Sequence, residues 1–286
     1  VNIGVVFPQT ELGGDVGAVR AYADAVSGLG YSHVLIYDHV VGADPAVHSP
    51  WNGPYDVNTS FHEPFVLFGY LAAITELELV TGIIILPQRQ SALVAKQAAE
   101  VDLLTEGRFR LGVGLGWNEV EYDALGKDFH NRGARIVEQV ELMRKLWSEP
   151  SVTFEGRYES VIGAGLCPMP IQRPIPVWFG ANSEPAWRRA GRVADGWFPQ
   201  QQPGQGLEEA KAIVDAAARE AGRDPSALGM EGRMNADPND LESMAAQASA
   251  WQSAGATHLS LNTMRSGWTS VDEHIGALAA VAGVLL

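Results

Sequence analysis

Asp38 and His39 stand together at the end of an apolar run, His33–Tyr37. A histidine at a strand end can give or take a proton near neutral pH. The neighbouring carboxylate could orient the ring, although adjacent residues on a strand point to opposite faces. The pair could equally be a structural cap on the strand. A second run, Phe109–Gly114, leads into Leu115-Gly116-Trp117-Asn118-Glu119. Glycines at a strand end remove the Cβ atoms that would keep a flat ligand away from the backbone. Asn118 could hydrogen-bond the edge of a heterocycle, and Trp117 could stack on it or wall its pocket. Glu119, Glu121 and Asp123 lie on a helix start; solvated charge is the expected role of Glu121 and Asp123. A third run, Thr81–Pro87, places Gly82 among β-branched residues. That glycine marks either a bulge, which could press on a planar ligand, or a packing contact.

Other motifs narrow the chemistry. Gly112, Gly114 and Gly116 tempt a dinucleotide-binding reading, but the third glycine is misplaced and no acid closes a second strand about 20 residues on. Phe179-Gly180-Ala181-Asn182-Ser183-Glu184-Pro185 joins a strand to a helix. Its small residues would expose helix N-terminal N–H groups, a natural phosphate cradle. Asn182 or Ser183 can also be the N-cap, and the two roles are compatible. The histidines at 33, 39, 48, 62, 130, 258 and 274 show no metal-binding spacing, so no metal is expected. The lone Cys167, in Gly-Leu-Cys-Pro-Met-Pro, reads as a loop residue.

Eight strand–helix units must position these residues. The strands are Ile3–Phe7, His33–Tyr37, Leu79–Leu86, Phe109–Gly114, Val177–Phe179, Gly196–Phe198, Leu228–Met234 and His258–Asn262. The helices between and after them are read as 15–29, 61–77, 92–105, 134–147, 184–193, 207–221, 240–254 and 271–285. Short, continuously apolar strands are the mark of a parallel sheet buried on both faces. The pattern predicts one α/β domain over residues 1–286, a (β/α)8 TIM barrel with loop insertions; a doubly wound sheet is the alternative. Barrel sites lie at the C-terminal strand ends, beside the long connections 40–60 and 115–133. The long connection 149–176 precedes a strand and belongs at the opposite face; within it, Ser151–Tyr158 reads as a hairpin.

Composition limits the partners. Net charge is −14 with no basic stripe, which disfavours nucleic acid and anionic membranes. No apolar run approaches the roughly 18 residues of a membrane span. The chain opens directly on a strand pattern, which predicts no signal peptide. One cysteine excludes an intramolecular disulfide and fits a reducing, cytoplasmic compartment. A small-molecule substrate is the expected partner. Trp51, Tyr55, Phe61, Tyr122 and Phe129 in the covering loops favour an apolar or ring-shaped one.

In this order and spacing, four pieces resemble the luciferase-like flavin and deazaflavin barrel family. They are Asp38-His39, Thr81-Gly82-Ile83, Gly107 through Glu119, and Pro176–Gly180 with Asp195-Gly196-Trp197. The compact length is most similar to the branch using coenzyme F420, a deazaflavin hydride carrier. The resemblance implies a non-proline cis peptide at Gly82–Ile83 that buttresses the ring. It implies His39 near the reacting face, with Asp38 and Glu119 as further catalytic candidates. It implies Gly114, Gly116, Trp117 and Asn118 around ring and linker, and Gly180, Ala181, Asn182 and Ser183 at the phosphate. A homodimer is the family expectation. The sugar-phosphate dehydrogenases of the branch have a glutamate where Trp117 stands here, with Glu119 two residues on, so a sugar phosphate is not expected. The reading is an F420-dependent hydride-transferring oxidoreductase. The alternatives are an FMN-dependent monooxygenase and a barrel that binds a flavin or deazaflavin without catalysis.

Overall fold

A computed structural model describes all 286 residues. The strands in chain order are β1 (Asn2–Val6), β2 (His33–Ile36), β3 (Glu78–Thr81), β4 (Ile84–Ile85), β5 (Phe109–Gly114), β6 (Val152–Glu155), β7 (Ser160–Ala164), β8 (Val177–Ala181), β9 (Gly196–Pro199), β10 (Gly229–Asn235) and β11 (His258–Asn262). The helices are α1 (Gln9–Leu12), α2 (Val16–Gly28), α3 (Pro64–Leu71), α4 (Ser91–Leu104), α5 (Glu119–Ala124), α6 (Arg132–Ser148), α7 (Glu184–Val193), α8 (Gln205–Glu220), α9 (Leu241–Ser253) and α10 (Val271–Leu285). The sheet order is β3-β2-β1-β11-β10-β9-β8-β5-β4, and β3 also pairs with β5, which closes the barrel. All of these pairings are parallel. The fold is therefore the (β/α)8 barrel expected. No helix is long and apolar enough to cross a membrane.

The third barrel strand is one apolar run divided at Gly82–Ile83 into β3 and β4, and that peptide bond is cis. The hairpin of the 149–176 connection is β6–β7, antiparallel and outside the barrel. Asp102, near the end of α4, fastens that connection by accepting the backbone N–H groups of Ile171 (2.6 Å) and Gln172 (3.0 Å). The second helix is shorter than the 61–77 span read from pattern. Glu63 caps it by accepting the Val66 N–H at 2.8 Å, and Pro64 takes its first turn. The starts of α2, α9 and α10 follow the same logic through Asp15, Asp240 and Ser270.

Two apolar clusters hold the layers together. The larger lies between barrel and helices and includes Phe68, Leu79, Phe109, Trp147, Trp197 and Trp251. The smaller fills the barrel with Val6, Leu35, Val80, Trp178, Phe198 and Met264. On β10 the outward side is tight: a Cβ on Gly232 would come within 2.4 Å of Trp251. Its alternate residues, Glu231 and Arg233, therefore face into the barrel.

The N-terminal end of the barrel is closed by charge. Glu231 accepts from Arg110 Nη1 at 2.7 Å, meets His33 Nε2 at 3.1 Å and accepts the Ser260 hydroxyl at 2.5 Å. Arg110 also donates twice to Glu78, at 3.1 Å each, and its guanidinium lies 4.3 Å from the Trp178 ring centroid. Burial opposes the charge on Glu231, but Arg110 and His33 outweigh it and hold the carboxyl well below its usual range. Nearby, burial and then Arg110 push the His258 imidazole down to about 3.

Candidate active site

The opposite rim gathers the sequence-selected residues. Asp38 and His39 follow β2 but face different ways. Asp38 is buried; Oδ2 accepts the Ile85 N–H at 3.0 Å and Oδ1 accepts Arg89 Nη2 at 2.7 Å. Arg89 in turn donates to Glu63 at 2.9 Å. Burial pushes the Asp38 carboxyl above its ordinary range, and Arg89 offsets part of that. Asp38 thus ties β2 to β4, just past the Gly82–Ile83 break. Its carboxylate makes no hydrogen bond to the His39 ring.

The carboxylate that reaches His39 is Glu121, from α5. Its Oε2 lies 3.1 Å from His39 Nδ1, and its Oε1 accepts the Val40 N–H. Glu121 is fully buried. This corrects the solvated role expected for it: the turn after β2 offers Val40 N–H and the imidazole together, and both point at α5. Glu119, two residues earlier, has an exposed carboxylate that lies 3.7 Å from His130. The His39 ring keeps Nε2 without a protein partner. It packs against Phe61, Tyr55 and Trp117 at centroid distances of 4.8, 5.3 and 5.6 Å. Trp117 also meets Trp51 at 5.6 Å, so the imidazole sits in an aromatic pocket at the barrel mouth.

Beside this pocket a slot opens at the strand ends, lined by Leu35, Tyr37, Gly82, Ile83, Gly180 and Arg233. Glycines shape it. A Cβ on Gly114 would stand 2.6 Å from Ile83 Cδ1, and one on Gly180 would stand 3.3 Å from Ile83 Cγ2. Ile83 is thus seated between two glycines, and larger residues at either would drive it into the slot. Gly116 has φ of 65°, a conformation that favours glycine, and a Cβ there would meet Ile85 at 2.7 Å. Asn118 is buried; Nδ2 reaches Val41 O at 3.4 Å and Oδ1 has no partner. Ala181 is buried at the end of β8, and Asn182 and Ser183 are exposed before α7. Ser183 occupies the N-cap position without a side-chain cap bond, so it leaves the first N–H groups of α7 to an outside acceptor.

Three features therefore suit a flat, phosphate-bearing cofactor: a slot edged by Gly82 and Gly180, a buried acceptor without a donor, and an uncapped helix start. Two further residues were missed by sequence reading. Glu121 carried no local signal. Arg233 did carry one: Glu231, Arg233 and Asn235 are polar at every second position of a strand otherwise apolar or glycine.

The sequence model for luciferase-like monooxygenases matches residues 3–274. The chain belongs to that family and is an oxidoreductase of it. It is 36% identical over 211 residues to an uncharacterised protein of Mycobacterium tuberculosis, covering 70% of this chain and 71% of that one. It is 31% identical over 231 residues to the F420-dependent glucose-6-phosphate dehydrogenase of Segniliparus rotundus, covering 76% of this chain and 64% of that one. Its fold is similar to that of an F420-dependent secondary alcohol dehydrogenase solved with an F420–acetone adduct. That likeness has a TM-score of 0.81 at 20% identity and covers 100% of this chain and 99% of the other.

Proposed function

We propose that this protein is a coenzyme F420-dependent oxidoreductase that moves a hydride between the deazaflavin and a small organic substrate. The observation that carries the reading is the His39–Glu121 pair beside the slot walled by Gly82, Ile83 and Gly180. The F420 dependence of the Segniliparus relative and of the alcohol dehydrogenase supports the choice of cofactor.

When bound, a deazaflavin supplies or accepts the hydride. Gly114 and Gly180 keep the slot open by leaving Ile83 its place. Asn118 Oδ1 offers an acceptor to the ring or linker, and the start of α7 offers N–H groups to the phosphate. His39 gives or takes the accompanying proton at Nε2. Glu121 holds the other ring nitrogen, which fixes the orientation of the imidazole. Tyr55, Phe61 and Trp117 pack around the ring of His39. Asp38 and Arg89 position the rim without touching the substrate. Glucose 6-phosphate, the substrate of the Segniliparus relative, is not the expected substrate here, because Trp117 stands where a glutamate is expected for it.

The test is equilibrium binding of cofactor-free protein to coenzyme F420 and to FMN, side by side. Tighter binding of the deazaflavin is the expected result. Tighter binding of FMN would overturn the reading in favour of an oxygen-using monooxygenase, and oxygen consumption would then be measured. Tight F420 binding with no turnover on any substrate, and no effect of His39→Ala, would leave a carrier protein.

A further inference from the structure

A cavity of about 1010 Å³ opens over the C-terminal ends of β10 and β11, and two arginines line it. Arg233 comes from β10. Its Nη1 donates to the Tyr37 hydroxyl and its Nη2 to Gln200 Oε1, each at 3.0 Å. Arg265 follows β11. Its Nη2 donates to the Pro54 carbonyl at 2.7 Å, and its guanidinium lies 4.9 Å from the Tyr55 ring centroid. All of these partners are neutral.

Neither guanidinium forms an ion pair, although the chain has 34 acidic residues against 20 lysines and arginines. The acids near the cavity are engaged elsewhere. Glu11 accepts the Thr10 hydroxyl at 2.5 Å and the backbone N–H, not the guanidinium, of Arg265 at 2.9 Å. Asp237 accepts the Asn239 N–H at 2.9 Å. Arg265 also adopts φ of 62°, a conformation uncommon for a side-chain-bearing residue.

The arginines adjoin both parts of the proposed site. Tyr37 and Arg233 line this cavity and the slot, and Tyr55 lines this cavity and the His39 pocket. A molecule anchored on the two guanidiniums therefore extends toward both. No lysine lines the cavity, and Asn262 Nδ2 is already donated to Asn235 Oδ1 at 3.1 Å. The charged donors of the cavity are those of two planar guanidinium forks, a geometry that matches a carboxylate or a phosphate.

Resting on the functional reading above, we propose that the substrate carries a carboxylate gripped by Arg233 and Arg265, with the remainder reaching past Tyr55 to His39. The test is calorimetric titration of the cofactor-free protein with a series of straight-chain oxo carboxylates, their methyl esters and inorganic phosphate. Members of the carboxylate series bind at least about tenfold more tightly than their esters. Arg265→Gln, at an exposed position outside the slot, weakens that binding by about tenfold or more while F420 affinity and Tm stay at the wild-type values, and Arg233→Gln weakens it by a similar factor. Equal binding of acids and esters, no binding of the whole series, or preference for phosphate overturns the proposal. So does a loss of F420 affinity in Arg265→Gln, because the anion held would then belong to the cofactor. Arginine-dependent binding of carboxylates by a protein that fails to bind F420 would uphold the carboxylate site and reject the cofactor.

Discussion

Gly114→Ala tests the shape of the slot. The new Cβ would stand 2.6 Å from Ile83 Cδ1 and 2.8 Å from Cγ1. Carbon atoms rest at about 3.5–4.0 Å, so Ile83 must retreat by about 1 Å. Ile83 and Gly180 both line the slot, and the absent side chain of Gly180 leaves Ile83 room on that side. In the free protein Ile83 can swing there at little cost, because nothing occupies the space. In the complex the same swing meets the cofactor, and the full overpacking cost of about 1–3 kcal/mol falls on binding. That converts to about a 5- to 150-fold rise in Kd. Gly180→Ala makes a milder contact and should cost less than about fivefold. The assay is fluorescence titration of cofactor-free variants with F420, alongside thermal unfolding. A Gly114→Ala protein with native Tm and a Kd within about twofold of wild type would refute the placement of the ring against Ile83.

Two further outcomes follow from the charges. Glu121→Gln removes the carboxylate from His39 but keeps an acceptor for Val40 N–H; a hydrogen bond to a charged group is worth about 1.5–3 kcal/mol, so kcat should fall about 10- to 100-fold. Steady-state kinetics should show KM nearly unmoved and a smaller loss in Glu119→Gln; wild-type kcat in Glu121→Gln would make the pair merely structural. His258, held down at about 3, stays neutral in the fold, whereas the unfolded chain takes up its proton near pH 6.5. The stability lent by the neutral ring is complete above about pH 6.5 and is lost as pH falls toward 3. Urea unfolding across that window should be less pH-dependent for His258→Gln than for wild type, and parallel curves would contradict the assignment.

The barrel was legible because its strands are buried on both faces and read as short apolar runs between helical patterns. Gly82 was legible as an interruption because a glycine within such a run needs a reason, and β3 and β4 part there. The short helices α1 and α5 were not, because four and six residues are too few to show a helical period. Glu121 illustrates the harder limit. Its burial depends on Val40 and His39, 81 and 82 residues earlier in the chain. No local pattern distinguishes it from the exposed Glu119 and Asp123 on the same helix. Asp38 and His39 were legible as a pair at a strand end, but their partners, Arg89 and Glu121, are fixed only by how the rim loops fold together.

The charged closure formed by Arg110, Glu231, Glu78 and His33 has a kinetic consequence. Together with the apolar side chains that fill the barrel, it leaves a single doorway at the rim. Whatever lies deepest has to arrive first and depart last. A cofactor seated against Ile83 would then be corked by any substrate spanning His39 and the two arginines. Substrate and product would exchange repeatedly over a resident cofactor, and escape of that cofactor would be slowed by whichever molecule occupies the doorway.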